Sequence, residues 1–80
     1  MPDLKIDPDS PRPVYVQVAN HVQGLVETGN LRPGARLPSE RDLAAEYGVA
    51  LGTIRRATRE LSERGLVVSV QGKGTYVIER

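Results

Sequence analysis

Three arginines, Arg55, Arg56 and Arg59, return to one side of a single helical stretch. A guanidinium is always charged and presents a planar fork of N–H donors. It can bond the O6 and N7 of a guanine together, or clamp a phosphate. Lys73 sits between Gly72 and Gly74, beside Gln71, where no bulky neighbour prevents a close approach to another molecule. Ser39 and Arg41 open a short helical segment, and the free N–H groups at such an end favour anions. Arg36, just before Pro38, can reach a phosphate or be solvated. All of this is chemistry for holding anions. Nothing in it makes or breaks bonds.

Catalytic and metal-binding alternatives find little support. Glu40, Asp42 and Glu46 share one short segment and better serve the helix start and solubility than acid–base work. His21 is the single histidine and cysteine is absent, so His21 reads as a solvated surface side chain and no metal role is expected. No nucleophile, base and orienting group come together. No G-x-x-x-x-G-K-S/T phosphate loop is present, and a lone G-x-G says nothing about nucleotides. No cofactor is expected, and the chain does not read as an enzyme. The arginines also have a bland reading. Arg56–Glu60 and Arg59–Glu63 stand at i, i+4 and could simply pair on a solvated face, for a few tenths of a kcal/mol each. What favours a binding face is the order of elements around them.

Those elements can be read from periodicity and punctuation. Residues 1–12 hold Pro2, Pro8 and Pro11 with little apolar content, and read as a flexible or extended arm. Pro13 suits a first helical position. Val14, Val18, Val22, Leu25 and Val26 then recur at helical spacing, widened by Tyr15 and Ala19. A strand competes at Val14, Val16 and Val18, but the pattern continues too long for one, so a helix ending near Gly29 is expected. Pro33-Gly34 marks a turn, and residues 36–38 read as a very short edge strand. Ser39 is the N-cap of a second helix from Glu40 to about Tyr47, burying Leu43 and Ala44 and stopped by Gly48. A third helix spans roughly Leu51 to Arg64, with Ile54, Ala57 and Leu61 on its apolar side and Gly52, Arg55, Arg56 and Arg59 opposite. Residues 66–70 and 75–78 read as two strands joined by Gly72-Lys73-Gly74. The fold class is therefore α+β, a winged helix-turn-helix over residues 13–80.

Composition fits this assignment without forcing it. Eighty residues make one domain with a modest core. No apolar run approaches a membrane span, and the N-terminus lacks a secretory pattern, so a cytoplasmic protein with no membrane partner is expected. The net charge is only +1, but residues 1–30 carry −2 and residues 31–80 carry +3. The basic excess thus lies in the half bearing the arginines, as expected where one face meets phosphates.

Five stretches, P-V-Y-V-Q-V-A (13–19), G-N-L-R-P-G-A-R-L-P-S-E-R-D-L-A (29–44), T-I-R-R-A (53–57), L-S-E-R-G-L-V (61–67) and Q-G-K-G-T-Y-V (71–77), closely resemble the GntR family of bacterial transcription regulators. The resemblance implies a domain that binds a double-stranded operator as a homodimer on a palindromic site, most often as a repressor. Carried over by position, it assigns DNA contacts to Arg41, Thr53, Arg55, Gln71, Gly72 and Lys73, with Ser39 and Arg36 supporting phosphates. Ala50, Leu51 and Gly52 depart from it, since the family usually has Ser or Thr followed by Arg after the turn valine. Losing the capping hydroxyl should weaken the helix start by about 1 kcal/mol. Leu51 and Gly52 strip polar groups from the reading end, which implies a relaxed or altered preference, with a thymine-methyl contact from Leu51. The family's effector-binding domain has no counterpart in these 80 residues. The rival reading is a winged helix used for protein interaction, with little specific DNA binding.

Overall fold

The computed structural model describes residues 6–79. Three helices, α1 (Val14–Glu27), α2 (Glu40–Tyr47) and α3 (Leu51–Glu63), precede a two-stranded antiparallel sheet of β1 (Val67–Val70) and β2 (Gly74–Val77). The α+β winged helix-turn-helix read from the sequence is the fold observed.

Burial explains each helix. On α1, Val18, Ala19, Val22 and Leu25 are buried, a continuous stripe only at a period of 3.6. The strand-like alternation at its start therefore yields to packing. Pro13 is the N-cap rather than the first helical residue, and the helix closes at Thr28, with Gly29 beyond it at φ 82°. In α2 the buried pair is Leu43 and Tyr47, whereas Ala44 is only half-buried. A larger ring fills the space to the core where alanine could not. Ile54, Ala57 and Leu61 bury the inner side of α3. Val67 and Val77, directly paired across the sheet, close the core from below. Each such aliphatic side chain contributes about 1.5–3 kcal/mol.

The turns follow from side-chain chemistry. Ser39 Oγ accepts the Asp42 N–H at 3.1 Å, capping α2. Gly48 ends α2 at φ 67°, a left-handed conformation nearly free of strain only for glycine. The chain then turns straight into α3, whose N-cap, Ala50, makes no side-chain cap bond. The expected loss of a capping hydroxyl is thus real in the structure. Arg36 forms a one-residue bridge with Tyr76, framed by Leu37 N–H to Thr75 O at 2.8 Å and Val77 N–H to Ala35 O at 2.8 Å. This short edge strand ties the connector to β2.

Residues 6–12, the described part of the proline-rich arm, lie against α1. Gln17 accepts the Asp7 N–H at 2.9 Å and donates its amide to Asp7 O and Arg12 O, both at 2.9 Å. Ile6 packs on the edge of the core.

Candidate nucleic-acid interface

α3 is strongly two-sided. Its inner residues are buried, and Gly52, Arg55, Arg56 and Arg59 are exposed. Leu51 and Thr53, at the first turn, are half-buried. Ser39 and Arg41 stand exposed at the start of α2. Gln71, Gly72 and Lys73 form the exposed tip between β1 and β2, closed by Lys73 N–H to Val70 O at 3.0 Å with Gly72 at φ 78°. Apart from Arg36 in the connector, the sequence-derived candidates thus occupy three elements: the start of α2, the outer side of α3 and the wing.

The three arginines of α3 do not form a uniform ridge. Arg55 turns towards the start of α2, where its Nε donates to Glu40 Oε1 at 3.4 Å. Arg56 leans the other way and lies over the Tyr15 ring of α1, 4.2 Å from its centre. Among the described residues Arg59 has neither an ion pair nor a side-chain hydrogen bond. The i, i+4 pairs that the bland reading offered, Arg56–Glu60 and Arg59–Glu63, are not made among the described residues. Glu60 instead takes Arg64 Nε at 2.8 Å. Arg64 Nη1 also donates to Asn20 Oδ1 at 2.8 Å and Gln23 Oε1 at 2.9 Å, tying the end of α3 to α1.

An open cleft of about 570 Å³ separates α2 from the wing, lined by Arg36, Glu40, Gln71, Lys73 and Thr75 among others. Through Glu40 this cleft is continuous with Arg55. Arg36 is partly committed within it. Its guanidinium lies across Gly74, so closely that a Cβ there would stand 2.9 Å from Nε. Gly74 also has φ 126°, so the backbone favours glycine there, and a Cβ would have to push the flexible Arg36 guanidinium aside.

Two participants escaped the sequence reading. Glu40 read as a helix-start carboxylate, and Tyr15 as a widening of the apolar stripe. Opposite charges fifteen residues apart, or a ring and a guanidinium forty-one apart, carry no periodic signal. A third reading is corrected. His21 is half-buried rather than freely solvated, and its Nδ1 lies 2.9 Å from Tyr47 Oη with the rings edge to face. The buried Tyr47 needed a polar partner for its hydroxyl, and only tertiary packing could supply one. Among the described residues no cluster of His, Cys, Asp or Glu could hold a metal ion, and no helix is long and apolar enough to cross a membrane.

A short capped helix, a glycine turn, a second helix with a cationic outer side and a projecting hairpin define a winged helix-turn-helix regulatory domain. The chain belongs to the GntR family: residues 14–77 match the family described as "Bacterial regulatory proteins, gntR family". It is 43% identical over 68 residues to the mannosyl-D-glycerate transport/metabolism system repressor MngR of Escherichia coli strain K12, covering 85% of this chain and 28% of that protein. It resembles the structure of YtrA from Sulfolobus acidocaldarius, a GntR-family transcription factor, with a TM-score of 0.87 at 38% identity, covering 95% of this chain and 80% of that one. It also resembles the DNA-binding domain of AraR in complex with operator ORE1, with a TM-score of 0.80 at 38% identity, covering 82% and 80% of the two chains. The chain spans under a third of the length of the first curated relatives it matches, 28%, 28% and 29%.

Proposed function

We propose that this chain is the sequence-selective, duplex-DNA-binding module of a bacterial transcription regulator, acting as a repressor in the cytoplasm. α3 enters the major groove with Arg55 and Arg59 towards base edges or phosphates, and Thr53 reaching from its first turn. Gln71, Gly72 and Lys73 follow the groove edge. Arg41, Ser39 and Arg36 approach the backbone. Two copies bind the halves of a palindromic operator, since one domain of this size offers few contacts and symmetry doubles them. The observation that carries this reading is the exposed cationic side of α3 beside an exposed wing tip, in a chain 38% identical to a domain seen on its operator.

The reading end of α3 sets the preference. Leu51 is aliphatic and half-buried, and Gly52 has no side chain although a Cβ there would meet no atom within 4 Å, so neither side chain offers a polar group to a base. Selection of bound duplexes from a random pool is expected to yield a two-fold symmetric motif, and recovery of unenriched sequence would overturn the reading. Leu51→Arg should restore a cation at the first helical position. It is expected to sharpen the selected motif at one base step and to raise affinity for a guanine there by roughly fivefold to a hundredfold. Equal affinity and motif in both proteins would show that Leu51 has no part in reading.

A further inference from the structure

Of Arg55, Arg56, Arg59 and Arg64, two are committed to acceptors within the domain, and among the described residues Arg56 and Arg59 are not. Arg55 faces the Glu40 carboxylate, and Arg64 is held by Glu60, Asn20 and Gln23. Arg56 differs. Glu60, the acid one turn ahead of it, is occupied by Arg64. Among the described residues, no acceptor engages Arg56, and it rests instead on the Tyr15 ring at 4.2 Å. A guanidinium lying on a ring keeps its in-plane N–H donors free and its charge uncompensated. Its rotamer is also restrained before any ligand arrives, so less entropy is lost on binding.

Tyr15 is similarly available. Its ring is half-buried against the core, which fixes it, yet its hydroxyl makes no hydrogen bond among the described residues. Beside the pair, one turn earlier on α3, Gly52 is exposed and has open space where a side chain would stand. The result is a restrained cation and an unused hydroxyl next to a bare stretch of helix, where α3 meets α1 rather than where Arg55 meets Glu40 of α2. This arrangement suits an anion approaching over Gly52. It extends the recognition surface onto α1, where periodicity showed only a core-facing stripe.

We propose that Arg56 and Tyr15 form a phosphate-binding pair that takes one phosphodiester of duplex DNA on the α1 side of α3. The proposal rests on the DNA-binding reading above. Arg56 supplies the charge and paired N–H donors, and the Tyr15 hydroxyl donates to the same phosphate. The wing and Arg55 grip one side of the groove, and this pair grips the other. The contact is blind to sequence, so it fixes register without choosing bases.

The test uses the 80-residue chain with a short duplex of randomised sequence, titrated across a series of salt concentrations. Arg56→Gln is expected to weaken binding and to reduce the slope of log affinity against log salt by about 0.9, the loss of one phosphate contact. Tyr15→Phe keeps the ring and the core packing, and is expected to weaken binding roughly threefold to tenfold at unchanged slope. Combining the two should cost less than the product of the single losses, because the two groups share one phosphate. Circular-dichroism melting confirms that each variant is folded. Binding by Tyr15→Phe indistinguishable from the unaltered chain overturns the role of the hydroxyl. An unchanged salt slope in Arg56→Gln overturns the phosphate site, while DNA binding itself stands. A folded, unaltered chain that ignores duplex at low salt overturns the DNA-binding reading and this pair with it.

Discussion

A guanidinium can satisfy only one neighbourhood at a time, and the arginines around α3 divide accordingly. Arg64, with its side chain 25% exposed, is structural: it bridges Glu60 on its own helix and Asn20 and Gln23 on α1. Arg64→Met retains the aliphatic stem but strands those acceptors. It is expected to destabilise the fold by about 1–2 kcal/mol, lowering the thermal midpoint by roughly 5–15 °C, without altering DNA affinity measured well below that midpoint. Tyr47 stabilises the fold in a pH-dependent way. Burial raises its phenol from 10.0 to about 12, with the Glu46 carboxylate adding to the shift. Unfolding returns the phenol to its ordinary value, so between those two pH values the unfolded chain holds fewer protons than the folded one. The stabilisation is complete below pH 10 and is lost as the pH rises through the folded value. Urea midpoints measured across this window are expected to fall with pH. Tyr47→Phe should flatten that slope while losing the bond to His21.

Elements are positioned by a few close approaches rather than by their own propensities. The wing is the clearest case. Four residue pairs join β1 to β2, too few to hold a hairpin by themselves. The connector adds a bridge at Arg36–Tyr76 and lays the Arg36 guanidinium over Gly74. Gly74→Ala would place a methyl group 2.9 Å from Arg36 Nε at a backbone φ of 126°. A loss of about 1–2 kcal/mol is expected, confined to the wing. Faster amide exchange along residues 67–77 with an unchanged α1 would show this. Reduced DNA affinity in the same variant would show that wing geometry, as well as Lys73, contributes to binding. If exchange rises evenly across the whole domain, the wing has no separate stability.

For the whole molecule the balance of charge matters more than its sum. A net charge of +1 gives little long-range attraction, so binding depends on local cations facing phosphates. One domain alone should therefore bind duplex weakly and with marked salt dependence. Joining two copies through a flexible linker supplies the second half-site at high effective concentration. Affinity for a palindromic duplex is expected to rise by about a hundredfold or more, with little gain on a single half-site. Fluorescence anisotropy on the two duplexes measures this directly, and equal gains on both would argue against a symmetric arrangement on DNA.

The sequence alone determined the order of elements, the buried sides of α1 and α3 and the place of the wing, while in α2 it pointed to Leu43 but not Tyr47. These follow from local causes: apolar spacing at 3.6 residues, a serine cap, and glycines where the backbone must turn left-handed. It also placed the cations on the outer side of α3, because a helix with Ile54, Ala57 and Leu61 inward must carry Arg55, Arg56 and Arg59 outward. Only the tertiary structure decided what each cation meets. Arg55 finds Glu40, Arg56 finds Tyr15, Arg36 covers Gly74, and His21 serves Tyr47. Long side chains reach several partners at nearly equal energy. Packing between elements distant in sequence, which leaves no periodic trace in the chain, selects among them.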